Sequence, residues 1–274
     1  MVKLAYQYEV DSISVLLLRM LFSFPFFLII ALAKRPKQAI SRKDYLWLVG
    51  LGLIGYYLAS YLDFLGLQYI KASLERLILF IYPTLVLLIS FIFLGKRVSQ
   101  IQALGVLVTY GGIIIIFSNE LVINSSSDIL TGGILIFLSA MTYAAYLVGS
   151  GWLMPKFGAR VFTSYAMMVS CVSVIIHFSI VQEHSVFSFP TEVYWICLAM
   201  AVFATVIPSY LISYAIRHLG ANDFSIFGSL GPISTILLAY IFLDETLTWI
   251  QISGALVVIS GIFLAERKNP VQAN

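Results

Sequence analysis

The stretch that decides the fold is residues 60–113, which read SYLDFLGLQYIKASLERLILFIYPTLVLLISFIFLGKRVSQIQALGVLVTYGGI. It holds an apolar run with a proline, a two-charge turn, and a second apolar run rich in glycine. Residues 209–262 repeat this stretch at a constant offset of 149 with no gap. Matches of proline, glutamine and glycine in one register are hard to obtain by chance, so we interpret the two stretches as an internal duplication.

The duplicated positions include residues that shape a helix as well as apolar ones. The pairs at the offset of 149 include Pro83 and Pro232, Gln102 and Gln251, Gly105 and Gly254, and Gly112 and Gly261. A proline inside an apolar run kinks a helix, and the freed carbonyl must face protein or a wet cavity. The prolines therefore predict paired bends around a central cavity or, alternatively, two packing kinks. The glycines predict close helix packing.

The composition restricts the class of protein. Of the 274 residues, 61% are hydrophobic and 11% are charged, and the mean hydropathy is +0.98. Soluble domains carry about 25% charged residues. Apolar runs recur along the chain, and about 20 apolar residues suffice for a helix to cross a bilayer core of ~30 Å. The runs lack the alternation of a membrane barrel. The sequence thus predicts an all-α polytopic membrane protein, built as an inverted-repeat helical bundle.

Short polar breaks separate nine apolar runs, which predict nine membrane spans. They cover about residues 12–33, 45–66, 73–94, 100–118, 132–154, 161–181, 193–216, 224–243 and 249–265. Together with the duplication, these spans predict a first repeat at residues 1–118, an external linker at residues 119–131, and a second repeat at residues 132–274.

The basic residues predict the orientation. If the loop at residues 34–44 is cytoplasmic, 12 of the 16 Lys and Arg residues lie on the cytoplasmic side. The C-terminus is then cytoplasmic. The duplicated turns at residues 95–97 and 244–246 then lie on opposite faces of the membrane. Many secondary transporters consist of such inverted repeats, with the substrate site near the midplane between them.

Several motifs are similar to those of a known family. An apolar helix carries Tyr-Pro at residues 82–83 and ends in Leu-Gly-Lys-Arg at residues 94–97. The second copy has Leu-Asp-Glu at residues 243–245, and Arg19 lies in the first span. These features resemble the EamA family of the drug/metabolite transporter superfamily, whose second helix often carries an Arg. Lys96 stands where that family usually has Glu.

The resemblance implies ten helices in two inverted halves of five, and transport of small metabolites, often by export. The first half of this sequence shows only four spans, so the family's first helix is absent from it. Residues 3–11 resemble the end of that helix and the following loop. We expect either that upstream codons encode about 20 more apolar residues or that the protein is a nine-span variant.

Sequence and resemblance together predict a secondary transporter in the cytoplasmic (inner) membrane of a bacterial cell. It would move an amino acid-like or drug-like solute by alternating access, and the resemblance alone implies that the direction is export. The alternative is a non-transporting or truncated membrane protein of the same fold. The predicted partners are a small solute and the lipid bilayer; a homodimer is left open, and no nucleic acid is expected.

Polar residues inside the spans are the candidates for a substrate cavity. Tyr56, Ser60 and Asp63 follow Gly52 at spacings of 4, 4 and 3, which places them on one helical face. Tyrosine hydroxyls inside a span need a partner, which a polar cavity or a backbone carbonyl can supply. The full set of cavity candidates is Tyr56, Ser60, Tyr82, Pro83, Tyr143, Tyr146, Ser209, Tyr210 and Pro232.

Four charged residues are predicted to lie near the outer ends of their spans. They are Arg19, Asp63, Glu75 and Arg76. Ionisable groups in a membrane span usually face the bundle interior, where they pair or line a pathway. One interpretation is an ion pair that holds helices together, and the other is a role in gating or proton coupling. Asp63 is the carboxylate that the loop count places within a span.

The chain lacks the sequence patterns of a membrane enzyme. It has no H-E-x-x-H, C-x-x-C or G-x-S-x-G motif, and an enzyme needs a nucleophile, an acid/base pair or a metal cluster. The sequence therefore predicts no catalytic residue, no cofactor and no metal site. Cys171 and Cys197 both lie within apolar runs and are predicted to be small core residues.

The inverted repeat makes a topological prediction. Single cysteines at Lys96 and at Thr246, in a protein without its two native cysteines, should react with a membrane-impermeant maleimide from opposite faces. Lys96→Cys should label from the cytoplasm. Labelling of both positions from the same face of intact cells and inverted vesicles would contradict the inverted repeat.

Overall fold

The structure is a computed structural model that describes residues 1–36, 38–95, 98–123, 127–181, 189–220, 224, 241–242 and 248–265. Every regular element in these ranges is helical. In chain order the elements are α1 (Val2–Tyr6), α2 (Ser12–Ala33), α3 (Arg42–Gly52), the π-helix π1 (Leu53–Leu58), α4 (Ala59–Tyr69), α5 (Ala72–Leu79), α6 (Tyr82–Leu94), α7 (Gln100–Ile123), α8 (Ser127–Phe157), α9 (Ala159–Val181), α10 (Thr191–Ala201), the π-helix π2 (Val202–Val206), α11 (Ile207–Leu219) and α12 (Trp249–Ala265).

The helices confirm the predicted all-α membrane bundle. Within the described ranges, six helical runs are long and apolar enough to cross a membrane, and the apolar helices Gln100–Ile116 and Trp249–Ala265 are shorter. The bounds of these helices agree with the predicted spans to within a few residues. The bounds of α2 and α12 are identical to those predicted. The span predicted at residues 224–243 lies almost wholly outside the described residues.

The duplication is visible in how equivalent helices begin. Before α7, the Ser99 amide donates to the side chain of Gln102 at 2.9 Å, and the Gln102 amide donates to the Ser99 hydroxyl at 3.2 Å. Before α12, Thr248 and Gln251 make the same two hydrogen bonds at the same distances. This reciprocal capping box satisfies backbone donors at a helix start, which gives the duplicated glutamines a structural role.

The offset of 149 also extends upstream of the stretch that revealed it. The bounds of α3, residues 42–52, become those of α10, residues 191–201, when 149 is added. Both helices continue into a π-helix, which begins at Leu53 in one case and Val202 in the other. The two long helices α3–π1–α4 and α10–π2–α11 are therefore copies with the same local irregularity.

Pro83 acts differently from the predicted mid-helix kink. The helix breaks earlier, because α5 ends at Leu79, and α6 begins at Tyr82 with Pro83 in its first turn. The missing N–H of a proline costs nothing in the first turn, where amides have no partner within the helix. Pro83 therefore starts a helix rather than interrupting one. Pro232 lies outside the described residues.

The linker predicted at residues 119–131 is mostly helical. α7 continues to Ile123 and α8 begins at Ser127, which leaves only residues 124–126 between them. The sequence on both sides of this gap is rich in residues compatible with a helix, such as Leu121 and Ile129. The division into two repeats joined by a linker at residues 119–131 stays a prediction.

Glycines bring α7 and α12 into close contact. A Cβ added to Gly105 would lie 2.2 Å from the Ala265 amide nitrogen, and one added to Gly261 would lie 2.5 Å from the Thr109 amide nitrogen. A Cβ on Gly112 would lie 2.9 Å from the Gly254 carbonyl oxygen. The two backbones thus touch through glycines that the duplication relates, which confirms the predicted packing role.

This contact makes Gly105→Ala destabilising. The new methyl group must push α12 away, and overpacking of this kind costs about 1–3 kcal/mol. The melting temperature of the purified protein in detergent should fall. Gly111→Ala on the same helix is the matched control, because nothing lies within 4 Å of its Cβ position. Equal melting temperatures for the two variants would contradict the close contact.

Candidate functional site

A cavity of about 380 Å³ lies among the helices of the bundle. Residues from α2, π1, α4, α5, α6, α8, α9, π2 and α11 line it, together with Phe224. Its volume is within the range of small-molecule binding sites. The cavity is therefore the candidate site for a solute.

Two walls of the cavity are copies of each other. From π1 and α4 the lining residues are Gly55, Tyr56, Ala59, Ser60 and Asp63. From π2 and α11 they are Ala204, Thr205, Pro208, Ser209 and Ile212. Each member of the second set lies 149 positions after a member of the first. The cavity is thus bounded by equivalent segments of the two repeats, although most of the paired side chains differ in chemistry.

The π-helix decides which residues of the first wall face the cavity. A π segment inserts a residue and rotates everything that follows relative to the preceding α-helix. Tyr56, Ser60 and Asp63 line the cavity, but Gly52 does not share their face. It packs on α9, where a Cβ would lie 2.7 Å from the Ala166 carbonyl oxygen. Gly55 takes its place in the lining.

One end of the cavity is charged. The guanidinium carbon of Arg19 lies 4.5 Å from the centre of the Phe64 ring, which fits a cation–π contact. Arg19 Nε and Asp63 Oδ1 are both buried and have no hydrogen-bond partner among the described residues. No ion pair within 4 Å joins the two side chains in that part of the chain. Both residues line the cavity.

Arg76 and Glu75 form an ion pair at this end. Arg76 Nε lies 3.1 Å from Glu75 Oε2. The Glu75 side chain is 1% exposed, whereas that of Arg76 is 41% exposed and lines the cavity. Of the four charged residues predicted near the outer ends of their spans, Arg76 and Glu75 therefore pair directly, while Arg19, Asp63 and Arg76 line the cavity.

Aromatic rings form one part of the cavity wall. Tyr82 and Tyr143 meet edge to face, with ring centroids 5.4 Å apart, and Phe80 approaches Tyr82 in the same way at 5.9 Å. All three line the cavity. Edge-to-face contacts are a preferred geometry of aromatic pairs, so these rings support one another as a wall.

A hydroxyl cluster lies away from the charged end. The Tyr146 hydroxyl donates to the Tyr56 hydroxyl at 3.0 Å, and the Ser213 hydroxyl interacts with both. The Thr163 hydroxyl lies in short contact with the Ser213 hydroxyl and 2.8 Å from the Ala159 carbonyl oxygen, and its single proton serves one of these two acceptors at a time. Tyr56 is seven residues from Asp63, or about 10 Å along a helix. The cluster joins π1, α8, α9 and α11 where the cavity ends.

The structure brings most of the predicted site residues to the cavity. Those that line it are Arg19, Tyr56, Ser60, Asp63, Arg76, Tyr82, Tyr143 and Ser209.

The other candidates lie behind this lining. Tyr146 is fully buried behind Tyr56, and Pro83 is buried in the first turn of α6. The Tyr210 hydroxyl pairs with the Ser164 hydroxyl at 2.7 Å, and its ring contacts Phe27. Pro232 falls outside the described residues.

Sequence analysis missed the small and apolar lining residues. The unpredicted ones are Met20, Gly55, Ala59, Leu79, Phe80, Ser139, Met167, Ala204, Thr205, Pro208, Ile212 and Phe224. The duplication was a usable signal for several of them, because adding 149 to Tyr56 and Asp63 gives Thr205 and Ile212. Met20 and Met167 carry no pattern that separates cavity lining from core.

The described residues contain no group of three or more His, Cys, Asp or Glu side chains that could hold a metal ion. The site is instead a set of charges, hydroxyls and rings around an open volume. This arrangement is suited to holding a solute.

Comparison with known proteins identifies the family. The sequence model of the EamA-like transporter family matches residues 1–118 and 130–267. The chain belongs to the EamA-like transporter family. The resemblance in the Tyr-Pro helix and in the turns at its end is thereby confirmed, and the chain is a multi-pass membrane protein of a transporter family.

Similar members of the family occur in bacteria and archaea. YcbK of Bacillus subtilis (strain 168), an uncharacterized transporter, is 31% identical over 95% of this chain and 86% of its own length. An uncharacterized transporter of Archaeoglobus fulgidus is 21% identical over 95% of this chain and 89% of its own length. A crystal structure of a protein 15% identical has a TM-score of 0.65, covering 93% of this chain and 89% of that one, and shows the same fold.

The contact between Gly55 and Tyr146 makes a prediction about the hydroxyl cluster. A Cβ on Gly55 would lie 2.2 Å from Tyr146 Cγ, so Gly55→Ala must displace the ring and break its hydrogen bond to Tyr56. The melting temperature should fall further than in Tyr146→Phe, which removes only the hydroxyl. Gly50→Ala on α3 is the matched control, because nothing lies within 4 Å of its Cβ position. A Gly55→Ala variant as stable as Gly50→Ala would contradict the described packing.

Proposed function

We propose that the protein is a secondary transporter that carries a small solute through the central cavity by alternating access. The observation that carries the proposal is the cavity itself, which lies between two copies of one wall. Adding 149 to its lining residues on π1 and α4 gives its lining residues on π2 and α11. Paired inverted repeats with a site at their interface are the architecture of many secondary transporters.

The proposed substrate is a small metabolite, either amino acid-like or drug-like, and the proposed direction is export. The volume of about 380 Å³ supports a small solute. The aromatic wall supports a solute with an apolar part, and the charges of Arg19, Asp63 and Arg76 support a polar or charged part. Export follows only from what is common in the family.

A transporter is favoured over an enzyme by the character of the cavity. Its polar lining consists of serine, threonine and tyrosine hydroxyls and three charged residues, none of which forms a nucleophile–base pair. Membership of a transporter family supports the same choice.

The proposed location is the cytoplasmic membrane of the cell, with the C-terminus inside. The asymmetry of Lys and Arg between the predicted loops supports this orientation. Partners beyond the solute and the lipid are not required by the cavity. A homodimer stays a proposal, which crosslinking in native membranes would test.

Coupling to an ion gradient is proposed to involve the charged end. Asp63 has a carboxylate oxygen without a hydrogen-bond partner among the described residues, and it lies beside Arg19 and Arg76 in the lining. Ionisable groups within a membrane span commonly line an ion or substrate pathway when they do not hold helices together. The Arg76–Glu75 pair would instead hold the end of α5 in place.

Transport in proteoliposomes tests the proposal. A panel of labelled amino acids and cationic dyes should include at least one solute whose flux depends on the protein. Ser60→Trp fills the cavity and should abolish this flux without loss of folding. Ser260→Trp on α12 is the control, because Ser260 is exposed on the outer surface of the helices. Unchanged flux in Ser60→Trp would contradict a route through the cavity.

A further inference from the structure

A basic segment lies at one end of the bundle, outside the cavity lining. This segment, residues 34–43, connects α2 to α3 and forms the start of α3. It contains five Lys and Arg residues and no Asp or Glu. The structure describes four of the five, and all four are exposed: Lys34, Arg35, Arg42 and Lys43. None of these four forms an ion pair with a described residue. The basic segment therefore presents positive charge that the described part of the chain does not balance.

Asp44, the first acidic residue after the basic segment, is already paired. Its Oδ1 accepts a hydrogen bond from Lys156 Nζ at 2.6 Å, and its Oδ2 accepts one from the Ser41 hydroxyl at 2.8 Å. Lys156 Nζ also lies 4.4 Å from the centre of the Trp152 ring, in a cation–π contact. These contacts hold the start of α3 against the end of α8. Because Asp44 is engaged with Lys156, it does not neutralise the basic segment.

Two tryptophans lie beside the basic segment on the outer surface of the bundle. Trp47 and Trp152 meet edge to face with their ring centroids 6.2 Å apart, and they are 60% and 50% exposed. Trp47 follows Arg42 by five residues, or about 7.5 Å along a helix. Tryptophan is enriched where lipid headgroups meet the hydrocarbon. The two rings therefore mark the depth at which acyl chains begin, and the basic segment lies at the depth of the headgroups.

The duplicated copy of this region shows that the helix does not require the basic residues. α10 has the bounds of α3 plus 149, yet it begins with Thr191 and Glu192 in place of two basic residues. The equivalent of the whole basic segment, residues 183–192, contains two Glu and no Lys or Arg. Both copies nevertheless form a helix that continues into a π-helix. The positive charge thus serves something other than the fold of α3.

We propose that this surface binds an anionic phospholipid of the surrounding leaflet. Arg42 and Lys43 bind the phosphate headgroup, and Trp47 and Trp152 contact the upper part of an acyl chain. Clusters of about four to eight Lys and Arg residues beside a membrane helix are typical of binding to anionic lipids. A lipid reaches the charges and the rings together, whereas a free anion would leave the rings without a contact. The proposal concerns the outer surface and does not depend on transport.

Quenching of tryptophan fluorescence by brominated lipids tests the proposal. Bromine on an acyl chain quenches the rings that this chain contacts. Of the four tryptophans, the Trp195→Phe/Trp249→Phe variant keeps Trp47 and Trp152. It is reconstituted in equal amounts of phosphatidylglycerol and phosphatidylcholine, with bromine on the acyl chains of one lipid or of the other. Brominated phosphatidylglycerol should quench more, with a relative affinity of about tenfold, since each basic residue near anionic lipid contributes about fivefold.

The Trp47→Phe/Trp152→Phe variant is the matched control. It keeps Trp195 and Trp249, which are also exposed, but the ten residues before each of them contain no Lys or Arg. Its quenching should show no preference for brominated phosphatidylglycerol. An equal preference in both variants would indicate a general attraction between the protein and anionic lipid, and it would overturn the assigned site.

Charge-removing variants assign the headgroup contact. In the protein that keeps Trp47 and Trp152, Arg42→Gln and Lys43→Gln should each lower the preference for phosphatidylglycerol about fivefold. Arg42→Lys and Lys43→Arg retain the charge and should retain the preference. Arg217→Gln is the control, because Arg217 is an exposed basic residue at the end of α11, outside the basic segment. Melting temperatures check that each variant is folded.

Three further results would overturn the proposal. The first is equal quenching of Trp47 and Trp152 by the two brominated lipids. The second is a preference for phosphatidylglycerol that persists when Arg42 and Lys43 are both replaced by Gln. The third is weak quenching by both lipids, which would indicate that a second copy of the chain covers the two rings instead of lipid.

Discussion

The hydrocarbon core of a membrane provides no hydrogen-bond partners, and this constraint arranges the polar side chains of the bundle. Hydroxyl groups satisfy this constraint by donating to a backbone carbonyl of their own helix. The Ser23 hydroxyl, for example, donates to the Arg19 carbonyl at 2.7 Å. Three charged side chains within the helices, those of Arg19, Asp63 and Arg76, line the cavity. Arg19 lies over the Phe64 ring, while Arg76 pairs with Glu75. The cavity therefore lies where polar side chains of several helices come together inside the bundle.

Much of this architecture could be predicted from the sequence, because the duplication fixes many positions at once. Adding 149 to a residue number located the second copy of each motif. The lengths of the apolar runs predicted the bounds of α2 and α12. Arg19, Asp63 and Ser209 were found because polar residues within spans are rare and face inward. The structure adds that the same offset relates the helix caps at Ser99 and Thr248.

The parts of the fold and of the site that could not be predicted depend on three-dimensional packing, which no local sequence pattern contains. A spacing of four residues placed Gly52 on the face of Tyr56, but the π-helix at Leu53–Leu58 rotates the two apart. Tyr146 resembles Tyr143 in sequence context, yet one is buried behind the wall and the other is part of it. Which ring lines the cavity depends on the packing of α8 against π1, where Gly55 makes room for Tyr146.

The two repeats share a backbone but not a set of recognition groups. At the offset of 149, Asp63 becomes Ile212, Arg19 becomes Met168, and Tyr56 becomes Thr205. A duplicated backbone can bend in equivalent ways on both sides of the cavity, since both long helices contain a π-helix. The charges occur in only one copy, so the cavity has one charged end rather than two. The duplicated backbone thus gives the cavity two similar walls, while the differences between the copies give it a single polar end.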